Sequence, residues 1–286
     1  AAESKSQQQF TLTNNGSGDL KWTLTQKPTE ASSSDLLFTE CTSWNTSGDL
    51  QNGIAFDGEY YYTTSSVYLN KFWKYDRTGK LVEQFYLDNL YYHLYNMTYD
   101  GRYFYASDGL NRIFKMDFDQ KRVIDVITVT EQPSLKIYHC TWDPKNKGFW
   151  VGSTNNIVLI GTNGKQKTKL TNFTETESIA VVGSAYDDVT PGGPYLWLAD
   201  ETAANANMID CIMLRQYSLR TMTLTDVKHV LNDVPGYVVG NASMGRNYVC
   251  GIYASPDINK GRMTLIGVLQ QSPTLIFNYT LAETTN

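Results

Sequence analysis

Gly53-Ile-Ala-Phe-Asp-Gly-Glu-Tyr-Tyr-Tyr62 compresses an apolar strand, a tight turn and an aromatic strand into ten residues. The motif returns along the chain. Aligned on the turn aspartate, Ile54-Ala-Phe-Asp-Gly58 is followed by Met97-Thr-Tyr-Asp-Gly101, Cys140-Thr-Trp-Asp-Pro144 and Ser184-Ala-Tyr-Asp-Asp188. The aspartates Asp57, Asp100, Asp143 and Asp187 stand 43, 43 and 44 residues apart. A period of this size marks a repeat architecture in which each unit buries a face against its neighbours. A weaker fifth copy reads at Asn241-Ala-Ser-Met-Gly245, 57 residues on when Gly240 is matched to Gly183. The inserts at 189–194 and 201–207 account for the longer step.

Each copy continues alike. An aromatic or apolar second strand follows the turn (Tyr60-Tyr-Tyr62, Tyr103-Phe-Tyr105, Phe149-Trp-Val151, Tyr195-Leu-Trp197, Tyr248-Val-Cys250), then a third such as Lys71-Phe-Trp-Lys-Tyr75 and a fourth such as Leu81-Val-Glu-Gln-Phe-Tyr86. A four-stranded antiparallel meander cannot bury both faces alone, and units of about 40–45 residues solve this by packing face to face around an axis. The predicted fold is an all-β propeller of four-stranded antiparallel blades, with five repeat-matched blades. The alternative is six, with N-terminal strands completing one. Small residues at the middle of each inner strand (Ala55, Thr98, Thr141, Ala185, Ala242) suit the crowded axis.

The first 52 residues lack the repeat. Residues 10–24 read as two strands around Asn15-Gly16, a strong hairpin signal. Residues 1–35 are therefore assigned to an N-terminal hairpin and linker packed on or closing the ring, and residues 36–286 to the propeller.

Composition narrows the partners. Aromatic residues make up 13% of the chain against 19% charged, as suits twisted sheets joined by tight turns. A net charge of -5 without a basic stripe argues against nucleic acid. No apolar run is long enough to span a bilayer, and the polar N-terminus reads as a mature form after signal removal. Cys41, Cys140, Cys211 and Cys250 show no Cys-x-x-Cys spacing, which argues against a zinc site and a disulfide scaffold and leaves a single bridge open. A monomer is expected.

Asn96-Met-Thr-Tyr-Asp-Gly-Arg-Tyr-Phe-Tyr-Ala-Ser-Asp-Gly109 with Ile113-Phe-Lys-Met-Asp117, then Trp142-Asp-Pro-Lys-Asn-Lys-Gly-Phe-Trp-Val-Gly152, then the stretch from Ala185 to Trp197, resemble the NHL-like propeller module of secreted and cell-surface proteins common in Bacteroidetes. The similarity runs from about Gly53 to the C-terminal 274–282 stretch, and Asn14-Asn-Gly-Ser-Gly-Asp-Leu-Lys-Trp22 is similar to the end of the immunoglobulin-like modules that precede such propellers. The resemblance implies export to the bacterial envelope or beyond. It implies no catalytic motif.

Ligands of propellers gather where loops converge at one end of the axis, at inner-strand starts and second-strand ends. Those positions give Asn52, Asn96, His139 and Asn241, with Ser65, Asp108, Ser153, Asp200 and Glu201. Oxygen ligands from Asp108, Asp200 and Glu201 would suit calcium, and His139 would suit a base near neutral pH. The bland reading is a set of hydrated strand ends, with no other cofactor. Tyr91, Tyr92 and Tyr95 lie in the connection into the second repeat and are the candidate aromatic loop. The turn aspartates read as structural, because Asp-Gly and Asp-Pro bond local backbone and Gly tolerates positive φ.

No Gly-x-Ser-x-Gly elbow, Walker loop, dinucleotide-binding glycine pattern or His-Glu-x-x-His is present. The leading expectation is a non-enzymatic binding module for a glycan, a peptide or a partner protein. The second is an enzyme, either a metal-dependent lactonase-like hydrolase or a glutaminyl-cyclase-like transferase whose opening residues Gln51-Asn-Gly-Ile-Ala-Phe56 resemble. The third is an architectural spacer in a larger exported protein.

Overall fold

The computed structural model describes residues 37–38, 40–46, 48–65, 67–153, 156–171, 181–200, 213–230, 248–257, 262–270 and 275–283. The predicted N-terminal hairpin, Glu201 and Asn241 lie outside them. Every regular element described is a strand, and the strands form five four-stranded antiparallel sheets.

The strand β1 (Glu40–Asn45) precedes four consecutive meanders. The first is β2 (Gln51–Phe56), β3 (Tyr61–Ser65), β4 (Lys71–Tyr75) and β5 (Leu81–Tyr86). The second is β6 (Met97–Tyr99), β7 (Phe104–Ser107), β8 (Arg112–Asp117) and β9 (Arg122–Thr128). The third is β10 (His139–Asp143), β11 (Gly148–Ser153), β12 (Asn156–Gly161) and β13 (Gln166–Lys169). The fourth is β14 (Val181–Asp187), β15 (Tyr195–Asp200), β16 (Met213–Ser218) and β17 (Thr223–Val230). Together they form the predicted propeller arrangement of four-stranded sheets.

The remaining sheet joins the two ends of the described chain. Its order is β1, β20 (Leu275–Glu283), β19 (Arg262–Gln270) and β18 (Tyr248–Asp257), so an early strand is hydrogen-bonded to the last. Here the sequence reading needs correction. It made Tyr248-Val-Cys250 a second strand, whereas these residues begin β18, which packs against the inner strands β14 and β2. The aspartate that ends this inner strand is Asp257, in Ser255-Pro-Asp257. Lacking the aromatic-Asp-Gly signature, it escaped alignment.

Register explains why the four meanders look alike. Ala55 faces Tyr62, Thr98 faces Tyr105, Thr141 faces Trp150 and Ala185 faces Trp197. A small residue on each inner strand thus sits opposite a large ring on the second, a pairing that interdigitates without overpacking. Close approach also dictates Gly53. A Cβ there would overlap Tyr95 O and stand 2.8 Å from Asn96 Cα, so β2 meets the lead-in to β6 backbone to backbone.

The core is divided among the gaps between sheets. Tyr62, Phe72 and Phe85 of the first sheet meet Phe104, Phe114 and Met116 of the second. Tyr105 and Ile113 of the second meet Phe149, Val151 and Val158 of the third. Trp150, Ile157 and Leu159 meet Leu196, Leu198 and Tyr217. Trp197 and Leu214 of the fourth sheet pack on Phe277 and Tyr279, while Ile266 and Ile276 pack on Ile54, Trp73 and Tyr75 of the first. Burying one such side chain contributes about 1.5–3 kcal/mol, and every sheet draws on both of its neighbours for it.

Candidate functional site

Inner strands run from a start end to the hairpin turns, the turn end. Antiparallel alternation puts the β3–β4 and β7–β8 turns, and the β5–β6 and β9–β10 connections, at the start end.

The start end is closed by polar side chains that bond the neighbouring backbone. Asn96, just before β6, is buried and its Nδ2 donates to Ser184 O at 3.0 Å and Cys140 O at 3.4 Å. Two carbonyls on one side fix the direction of the amide, so Oδ1 turns away, where it has no hydrogen-bond partner among the described residues. His139 opens β10 with its Nδ1 2.7 Å from Ser184 Oγ, and its Nε2 has no hydrogen-bond partner among the described residues. Thr141 Oγ1 donates to Ser184 O at 2.7 Å and lies 2.5 Å from Ser184 Oγ. Burial lowers the pKa of His139 from the usual 6.5 to about 3, so the ring is neutral at pH 7. Asn52 Nδ2 donates to Leu94 O at 3.4 Å, and Thr64 Oγ1 donates to the same oxygen at 3.0 Å.

The predicted carboxylates have basic neighbours. Asp108 pairs with Arg112, whose guanidinium lies over the Tyr92 ring at 4.3 Å and donates to Tyr92 Oη at 3.4 Å. Asp200 is fully buried and accepts from Arg215 Nε at 2.8 Å. The structure therefore brings Asn96 and His139 together through Ser184, and Asp108 and Tyr92 through Arg112. Among the described residues, three or more His, Cys, Asp or Glu side chains nowhere gather as a metal-binding group would. Cys140 is a free, buried thiol whose pKa burial pushes up.

Rings stand at one side of this end, in the β5–β6 and β9–β10 connections. Tyr91 is 71% exposed and Tyr92 39%, while Tyr95 is half-buried with its ring edge-on to Tyr138 at 5.3 Å. Val67, Tyr68, Leu69 and Leu110, in the β3–β4 and β7–β8 turns, are also exposed. The sequence reading named the tyrosines of the β5–β6 connection and passed over the aliphatic residues beside them, because single loop residues carry no periodicity.

At the turn end the aspartates curl back on their own hairpins. Asp57 Oδ1 accepts from Glu59 N and Tyr60 N at 2.8 and 2.7 Å, and Asp100 Oδ1 accepts from Arg102 N and Tyr103 N at the same distances. The other oxygen holds the large ring of the second strand. Asp100 Oδ2 accepts from Tyr105 Oη at 2.8 Å, and Asp143 Oδ2 and Asp187 Oδ2 accept from Trp150 Nε1 and Trp197 Nε1, each at 3.0 Å. Burial first, and then the nearby Asp57 carboxylate, raise the pKa of Tyr62. The turn role read from sequence is thus present, with a ring clamp added that the spacing did not reveal.

Those inward folds leave space on the axis. A cavity of about 320 Å³ opens there, walled by Phe56, Tyr99, Trp142 and Tyr186, each the residue before a turn aspartate. Asp57 and Asp100 stand at its mouth and the Thr98 and Thr141 residues line its depth. The sequence reading missed this wall. Its signal was visible as the aromatic-Asp dipeptide of all four copies, but alternation alone does not separate a cavity wall from a ring packed between sheets.

No protein-family model matches the chain, and no curated protein sequence matches it either.

Proposed function

We propose that this chain is a recognition module, a five-bladed NHL-like propeller of an exported bacterial protein, that presents its start end to a protein partner. Five blades are supported by the five sheets and by the hydrophobic contacts that join the β1/β18–β20 sheet to both the first and the fourth. Export rests on the resemblance of the repeat to surface-protein propellers. The observation that carries the function is the exposed rim of Val67, Tyr68, Leu69, Tyr91, Tyr92 and Leu110, contributed at the start end by the loops of the first and second sheets.

Its composition chooses among ligands. A sugar is held by flat rings and hydrogen bonds, and aliphatic side chains add little to either. A protein interface joins tyrosine and arginine to aliphatic contacts, and here the Tyr92–Arg112 pair shares the start end with the exposed Leu69 and Leu110. The loops vary while the sheets hold them rigid, which suits recognition.

Photo-crosslinking tests this. A benzophenone amino acid replaces Tyr91 at the rim or Val126 on the outer strand β9 of the protein made in its own cells. The expected result is a discrete protein adduct from position 91, none from 126, and loss of the adduct in Leu69→Asp. Identical or absent adducts at both positions would overturn the reading.

A further inference from the structure

We infer that the turn-end cavity is a binding site for a quaternary ammonium group, distinct from the rim at the start end. The lining, its charge, its hydrogen bonds and its size converge on that chemistry.

The walls are aromatic on four inner strands, and the faces of such rings carry partial negative charge that attracts cations. The charged side chains that line the cavity, Asp57 and Asp100, are both carboxylates. Among the described residues no lysine or arginine forms an ion pair with Asp57, Asp100, Asp143 or Asp187, whose donors are uncharged: turn N–H groups, rings, and the Asn146 and Thr190 side chains. The nearby tyrosines register that field. Burial first, then the carboxylates of Asp57, Asp100 and Asp119, raise the pKa of Tyr99, and burial followed by Asp143, Asp188 and Asp187 raises that of Tyr186. One cation of the protein already reaches the cavity lining: Arg77 donates to Gly58 O at 2.5 Å with its guanidinium 5.9 Å from the Phe56 ring.

The hydrogen bonds distinguish a quaternary from a primary ammonium. Asp100 gives one oxygen to two backbone N–H groups and the other to Tyr105 Oη. Three of the roughly four acceptor positions of that carboxylate are filled, so it offers charge rather than free lone pairs. A primary ammonium needs three acceptors, and a quaternary one needs none. A cavity of about 320 Å³ takes a trimethylammonium group with room for the chain that carries it.

Free choline-type molecules and trimethylated lysine side chains share this head group. Calorimetric titration of the full chain at low salt uses choline, a trimethyl-lysine peptide and dimethylbutanol, the neutral carbon isostere of choline. Saturable one-site binding of choline or the peptide is expected, with the isostere weaker by about tenfold or more. The tighter of the two cations identifies the source. The variant Asp57→Asn/Asp100→Asn keeps an oxygen for each turn and removes both charges, and Trp142→Leu removes one wall; each should weaken the cation about tenfold while melting cooperatively. Binding of neither cation, or equal binding of the isostere, overturns the inference and needs no variant. A folded Asn/Asn variant that binds unchanged overturns it as well.

Discussion

The two ends of the inner strands are built from the same short repeat and dispose of their polar groups in opposite ways. At the start end, Asn96, Thr141 and His139 reach across to Ser184 in another sheet, and Asn52 reaches Leu94 O. At the turn end, Asp57, Asp100, Asp143 and Asp187 bond their own hairpins. A polar side chain bonded across the axis plugs it. One bonded to its own turn leaves the axis open, and the rings beside it become cavity walls. The difference teaches that the partner chosen by a buried polar group, more than the residue type, decides where this ring has a hole.

Acid should break the plugged end most strongly. His139 is fully buried with its pKa lowered to about 3, while the unfolded chain binds that proton near the usual 6.5. Between these values the unfolded state holds more protons, so stability present above pH 6.5 is lost as pH falls toward 3, at up to about 1.4 kcal/mol per pH unit. Carboxylates contribute to the same slope. The diagnostic is therefore the difference between the wild type and His139→Gln in urea melts from pH 7 to 4.5, with the variant less sensitive to acid. Parallel slopes would mean that the ring is accessible to protons in the folded state.

At the turn end the largest loss belongs to the buried clamp. Asp187 is fully buried and serves Val189 N, Thr190 N, Thr190 Oγ1 and Trp197 Nε1. Asp187→Ala strands a buried indole N–H and three turn donors, for a loss of about 3 kcal/mol in chemical denaturation. A loss under about 1 kcal/mol would show that the ring clamp adds nothing to local turn preference.

What could be read in advance follows the same division. Turn chemistry is local, so Asp-Gly and Asp-Pro announced the hairpins and their spacing announced the sheets. Contacts such as Asn96 to Ser184 join residues 88 apart and leave no trace in any window of sequence. Inner-strand starts could be named as candidates, but which of them meet at Ser184 depends on how the sheets are stacked. The inner strand β18 was misplaced for a local reason, since Ser255-Pro-Asp257 at its end carries the aspartate without the ring or the glycine. Phe56, Tyr99, Trp142 and Tyr186 were legible as a recurring position. Their role was not, because a ring that ends an inner strand has the same alternation as a ring packed between sheets.

The smallest expected effect sharpens the comparison most finely. Asp57 is partly exposed, and its Oδ1 serves Glu59 N and Tyr60 N. An asparagine retains a side-chain oxygen for both donors, whereas an alanine retains none. Asp57→Asn should therefore leave stability within about 0.5 kcal/mol of wild type, and Asp57→Ala should cost about 1 kcal/mol. The charge itself acts on the cavity. Asp57 helps to raise the pKa of Tyr99, so the Asn variant should titrate that tyrosine at lower pH in an alkaline ultraviolet titration referenced to Tyr99→Phe. If Asn and Ala destabilise equally, the turn needs the carboxylate charge, and the two ends differ in electrostatics as well as in hydrogen-bond direction. If Asn is neutral and Tyr99 shifts, shape at this end belongs to the side-chain oxygen and field belongs to the charge, which is the separation a cation-binding cavity on a stable hairpin requires.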